Sequence, residues 1–222
     1  MDTPILIFGT KEKGQAALEI FQNNGIIVYG LLTEEETPQE GKTYGHVSVL
    51  GHTKDRTYLD LLGDKCHPFV AVEGIKASQE IITQLGAEEK LHPLNAIHSA
   101  TNLDKEARLG AGNIIHVGSS VGAEAMIHHH CALMGHNMVG YGATLHDFVY
   151  LGIGAIVNPG VTIHEEAYIG SGAILKANIT IGAKAYIAPG AVVLEDVPEG
   201  TVVAGNPASM VEQVKRQPKN HE

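Results

Sequence analysis

The sequence predicts a chain in two parts, α/β then all-β. A small Rossmann-like domain covers residues 1–93, a parallel β-helix of hexapeptide repeats covers 94–208, and a short polar tail follows at 209–222. Three observations carry this expectation. Aliphatic residues recur at every sixth position from Ile97 to Val193, 17 times without a slip. Before residue 93 the pattern is instead strand, helix, strand. The composition, with 26 Gly, no Trp and only 5% aromatic residues, suits an aliphatic core with many tight turns.

In the first part, Ile5-Leu6-Ile7-Phe8 reads as a buried strand ending at Gly9. Helical spacing follows over Gly14–Gln22 (Ala17, Leu18, Phe21), stopped by Asn23-Asn24-Gly25. Ile26 to Gly30 predicts a second strand, His46 to Leu50 a short third and Phe69 to Val72 a further one. Ser78 to Leu85 then predicts a helix ended by Gly86. Strands and helices in this alternation form a small parallel sheet. The acids and proline near 34–40 mark a loop, and His92-Pro93 marks the boundary.

In the second part each hexad supplies one short strand and one turn, and three hexads close a triangular coil of about 18 residues. The large aliphatic points inward. The small residue two positions earlier (Ala, Ser, Cys or Asn) fits the corner, and Gly often follows the aliphatic.

A net charge of −10 without a cluster of Lys and Arg argues against nucleic acid or an anionic membrane surface as the main partner. Cys66 and Cys131 form neither a disulfide framework nor a metal-ligand spacing, so a reducing cytoplasm is expected. The opening MDTPILIFG lacks the basic flank of a signal peptide, and no apolar run reaches membrane-spanning length.

Eight of the 13 histidines fall in the repeat region. His128, His146 and His164 are 18 apart and therefore share a corner of successive coils, about 4.8 Å apart. His98 and His116 form a second column. An imidazole titrates near neutrality and suits general-base work, such as taking the proton from an attacking amine or hydroxyl during acyl transfer. In the first domain, Gly9-Thr10-Lys11-Glu12-Lys13-Gly14 could hold phosphates through backbone N–H groups at a helix start. Lys11 and Lys13 would add charge, and the acids Glu34-Glu35-Glu36 follow the second strand.

The strand-Gly-helix opening, the strand Phe69 to Val72, the segment Leu94-Asn95-Ala96-Ile97-His98, the hexads and the ending Gly205-Asn206-Pro207-Ala208 span nearly the whole chain. Together they resemble the hexapeptide-repeat sugar O- and N-acyltransferases of the sialic acid O-acetyltransferase and bacillosamine-pathway N-acetyltransferase type. The resemblance implies a left-handed β-helix, a homotrimer, and acetyl-CoA as donor in an inter-subunit groove. Gly152, Gly154, Ser171 and Gly172 would line the donor site. A sugar or nucleotide sugar would be the acceptor, with Gly9, Lys11, Lys13 and Glu34 contacting it, and no metal is implied. The family places a His followed by an acid where strict coil counting puts Tyr141. With a one-residue slip, Gly135-His136-Asn137 matches that motif with Asn for the acid, and His146-Asp147 is the nearby His-acid pair. His136 and His146 are thus the expected bases, with His128–His130 in reserve.

Residues 135–146 also resemble the γ-class carbonic anhydrases, in which two zinc ligands lie five apart. That spacing maps here to Tyr141 and His146, and His128 could substitute for the missing ligand. A non-catalytic β-helix is the remaining alternative.

Overall fold

The computed structural model describes residues 3–35, 41–63, 65–87 and 94–211. The boundary at His92-Pro93, the acid Glu36 and the last residues of the tail lie outside them. In the first domain β1 (Ile5–Phe8) lies between β2 (Val28–Thr33), the middle strand of a five-stranded sheet, and β5 (His67–Val70) at its edge. β4 (Val47–His52) continues beyond β2, and β3 (Thr43–Tyr44) pairs with it as the one antiparallel edge. Strand order therefore reverses between β1 and β5, whose carboxyl ends form the crevice where ligands of such sheets bind. Helix α1 (Glu12–Asn23) covers one face, with Phe21 edge-on to Phe69 at 5.1 Å. Leu85 of α3 (Ile75–Ala87) packs into the core on the other.

Local expectations shift by a few residues here. β2 starts at Val28, leaving Ile27 exposed, because β1 pairs with Val28 onward. Gly86 does not end α3, which runs through Ala87. The one-turn α2 (Arg56–Leu59), capped by Asp55 accepting from the Thr57 amide, has no hydrophobic period and was not expected.

Seventeen two-residue strands, β6 (Ala96–Ile97) to β22 (Val192–Val193), then follow at six-residue intervals, and each predicted aliphatic is the second, inward residue of one. They stack in parallel into three flat faces. Face 1 carries Ala96, Ile114, Ala132, Tyr150, Tyr168 and Tyr186 outward; face 2 carries Ser120, Met138, Ile156, Ile174 and Val192; face 3 carries Arg108, Met126, Thr144, Thr162 and Thr180. From Ile115 upward the inward aliphatics are essentially inaccessible and form one continuous core. Corner residues are buried as expected, including the polar Asn113, Ser119 and Asn137. Every sixth turn residue from Gly112 to Gly190 has φ between 51° and 77°, so the coil needs one left-handed residue per corner.

The two parts share a core. Ala16, Ala17, Ile20 and Phe21 of α1 pack on the outward Ala96, Ile114 and Ala132, so the α/β domain covers the lower part of face 1. At the top, β23 (Val202–Gly205) and β24 (Ala208–Met210) close the coil as a hairpin whose turn is Gly205-Asn206-Pro207-Ala208. Ser209 and Met210, expected in the tail, belong to this hairpin.

Candidate active site

The coil places the predicted residues on three separate edges. His136 lies on the edge between faces 1 and 2, in the turn from Leu133 to Met138. Gly154 and Gly172 occupy the same turn position one and two coils higher. His136 holds the left-handed turn position at φ 51°, a conformation more often left to glycine, and its imidazole is exposed. It lies over Gly118, one coil below, where any Cβ would collide with the ring. Asn137 is not its acidic partner's substitute, because Asn137 turns inward. Its Oδ1 accepts from the Gly135 amide (3.0 Å) and its Nδ2 donates to the Gly152 carbonyl (2.6 Å), which pins the turn.

The four small residues expected at the donor site rise above His136 on this edge. Gly154 and Gly172 face open space, and Ser171 is exposed. Gly152 is buried, and a side chain there would run into the Ser171 backbone, so it serves coil stacking.

His146 lies on a different edge, between faces 3 and 1. One chain therefore does not bring His136 and His146 together. His128, His146 and His164 form the expected column, with ring centroids 4.8 and 5.0 Å apart and planes within 17° and 8° of parallel. Burial, then the neighbouring His128 and His164, holds His146 below its ordinary pKa. Asp147 does not orient it; its carboxylate accepts from the His129 amide (2.9 Å). Zinc does not fit the column, since tetrahedral bonds of about 2.0–2.1 Å require nitrogens roughly 3.3 Å apart, and parallel rings stacked at these spacings hold them farther. Tyr141, the other position of the zinc pattern, is on the third edge. With Tyr in place of its second imidazole, the carbonic anhydrase pattern lacks one of its ligands.

His98 and His116 tie the domains together. His116 Nε2 is 3.4 Å from Glu19, and His98 Nε2 is 3.2 Å from the Asn23 amide nitrogen, both on α1.

On the edge between faces 2 and 3, Tyr141 is 55% exposed and its Oη donates to Glu124 Oε2 at 2.7 Å. That bond and the carboxylate's charge raise the phenol's pKa. Glu124 holds its own left-handed position at φ 57°. It also lines an open groove of about 690 Å³ together with Lys105, Glu106, Arg108 and Met126.

In the α/β domain the glycine loop is tightly packed. A side chain on Gly9 would strike the Ala71 carbonyl, and one on Gly14 the Gly9 carbonyl. Lys11 pairs with Glu34 at 3.4 Å. The Lys13 amide at the start of α1 donates to Glu73 Oε1 (2.8 Å), so the protein's own carboxylate occupies the place predicted for a phosphate. Burial lowers the Lys13 ammonium's pKa against the pull of Glu73, Glu34 and Glu12. Beside it, a cleft of about 210 Å³ between domain and coil is lined by Glu12, Lys13, Glu73, Phe148, Tyr150 and Tyr168. Tyr150 Oη donates to Glu12 (3.1 Å), and the Tyr150, Tyr168 and Tyr186 rings stack at 4.8 Å. The sequence reading missed Glu124, Glu73 and the tyrosine column. The 18-residue spacing of the tyrosines would have revealed that column, while nothing in one sequence links Glu73 to α1.

Comparison with known proteins agrees with this fold. Residues 161–195 match the family model described as bacterial transferase hexapeptide (six repeats). No curated protein matches the chain. The structure of PerB from Caulobacter crescentus, in complex with CoA and GDP-perosamine, superposes with a TM-score of 0.83 at 23% identity, covering 95% of this chain and 98% of that one. The chain has the fold of this structure, a small α/β domain followed by a left-handed β-helix. The acetyltransferase domain of PglB from Neisseria gonorrhoeae, in complex with acetyl coenzyme A, gives 0.83 at 23% identity over 95% and 100% of the two chains. WeeI from Acinetobacter baumannii gives 0.65 at 20% identity over 94% and 100%.

Proposed function

We propose that this protein transfers an acetyl group from acetyl-CoA to an amine or hydroxyl of a sugar or nucleotide sugar, as a homotrimer. The observation that carries the reading is the alignment of His136 with Gly154, Ser171 and Gly172 on one coil edge: an exposed imidazole below a run of side-chain-poor backbone along which a pantetheine arm can lie. The whole-chain likeness to acetyltransferase structures containing CoA supports it. His136 is the base of this reading. The acceptor's nitrogen or oxygen bonds to the thioester carbonyl carbon, the C–S bond breaks, and the acceptor's proton passes through His136 to the departing thiolate.

The trimer is argued from the three faces. Face 1 is covered by α1 in its lower part and carries the tyrosine column above it, and the upper part of face 3 presents a column of threonines. Face 2 presents Met138 (55% exposed), Ile156, Ile174 and Val192. A partner that meets this apolar column coil by coil must have the same rung spacing, as a second copy does. Face 2 turned to a threefold axis sets each subunit's His136 edge beside the next subunit's Tyr141 edge and leaves the His146 edge pointing away.

Thiol release from acetyl-CoA, screened against amino sugars and their nucleotide conjugates, tests the reading. His136→Ala should lower kcat by roughly 10²–10⁴-fold, the range for a general base, and His146→Ala should not. The reverse pattern would transfer the role to His146. No release with any acceptor would refute the acyltransferase reading.

A further inference from the structure

The lower part of face 3 holds the open groove of about 690 Å³, which the acyl-transfer reading does not use. Ala107 and Met126 contribute its apolar lining, and Lys105, Glu106, Arg108 and Glu124 surround it with both signs of charge. Among the described residues, neither Lys105 nor Arg108 has a carboxylate partner. Small-molecule sites are enclosed and mostly apolar; charges of both signs around a modest apolar patch suit a protein surface instead.

The height of the groove decides which surface. Lys105 to Arg108 belong to the first coil, Glu124 and Met126 to the second. A threefold axis that lets face 2 meet its copies coil by coil runs parallel to the coil, so every residue keeps its height from subunit to subunit. The groove runs onto face 3 from the edge between faces 2 and 3, which adjoins the next subunit's edge between faces 1 and 2. On that second edge, at the same two coils, His98 and His116 hold α1 through Asn23 and Glu19. Gln15, Glu19 and Gln22 lie along one exposed stripe of α1. Glu19 meets His116 through Oε2 and its side chain is still 55% exposed.

We propose that this groove seats the exposed stripe of α1 from the next subunit, with Lys105 and Arg108 taking the Glu19 carboxylate while Glu106 and Glu124 accept from Gln22. Each α/β domain is then held by two coils, its own through a shared apolar core and its neighbour's through charge. Every subunit supplies one α1 and one groove, so the contact runs head to tail and closes at three. The inference rests on the trimer proposed above, but face 2 alone would build that trimer without involving the α/β domain.

Cross-linking tests the contact in the intact protein. Both native cysteines are buried, so Glu19→Cys and Arg108→Cys supply the accessible thiols. Within one chain Glu19 stands by the edge between faces 1 and 2 while Arg108 lies on face 3, so a short bismaleimide joins them only between subunits. The double variant should run as covalent dimer and trimer on a denaturing gel, and either single variant as monomer. A double variant that sediments as a trimer yet stays uncoupled would overturn the docking and leave trimer and acyl transfer standing. A wild type that sediments as a monomer would overturn the docking together with the trimer. Charge reversal checks the pairing: Arg108→Glu should weaken the trimer roughly tenfold, and adding Glu19→Arg should recover most of the loss. No weakening, or no recovery, would overturn the assignment of Glu19 to Arg108.

Discussion

Replacing Asn137 by Ala tests whether the corner that carries His136 is held as described. The corner accepts alanine sterically, because Ala125, Ala155 and Ala173 fill equivalent inward positions with almost no exposure. The loss is therefore polar. The Gly152 carbonyl keeps its bond from the Ala155 amide (3.1 Å), so losing Asn137 Nδ2 costs about 0.5–1.5 kcal/mol. The Gly135 amide loses the Asn137 Oδ1 acceptor and is left buried without a partner, which costs about 1–3 kcal/mol. Together these amount to about 1.5–4.5 kcal/mol, or a fall in Tm of roughly 3–18 °C for a chain of this size. Thermal unfolding followed by circular dichroism measures it. Activity should fall further than stability accounts for, since the His136 turn loosens. A Tm within 1 °C of the parent would refute the hydrogen-bond assignment of this corner and with it the pinning of His136.

The remaining predictions concern other parts of the molecule. His130, stacked on Phe148 at 5.2 Å, is held down to about 4 by burial first and then by the charge of His129. The unfolded chain protonates it near 6.5, so its neutral form contributes full stability above that pH. The contribution, about 3 kcal/mol, is lost as pH falls from 6.5 towards 4. His130→Asn, tolerant of the left-handed turn, should flatten the dependence of Tm on pH across that window; an unchanged slope would contradict the assignment. Gly9→Ala should destabilise by several kcal/mol, since φ is 137° and the Ala71 carbonyl stands in the way; an equilibrium urea midpoint equal to the parent's would show the loop to be looser than this packing. Met138→Glu should convert the proposed trimer to monomers in sedimentation velocity at micromolar concentration, and a persistent trimer would remove face 2 as the interface.

The second domain was legible because its signal repeats. Each hexad aliphatic landed on an inward strand position, and the columns His128–His146–His164 and His98–His116 follow from 18-residue arithmetic. In the α/β domain, element type was legible but ends were not. Strand limits there are set by which neighbour pairs, as β2 shows by starting at Val28.

What the sequence by itself determined is the period: which residues face in, which share an edge, and which corners hold imidazoles. A coil translates linear spacing directly into position, so local pattern suffices. Only the tertiary structure decided how those positions are used. It put His136 and His146 on different edges, although they are ten residues apart. It turned Asn137 inward and spent Asp147 on a backbone amide. It drew Glu73 from the loop after β5 to the start of α1, 60 residues away in sequence, and joined Tyr141 to Glu124. Each of these depends on which side of a turn a side chain leaves and which polar group is buried without another partner. Hydrophobic periodicity encodes neither.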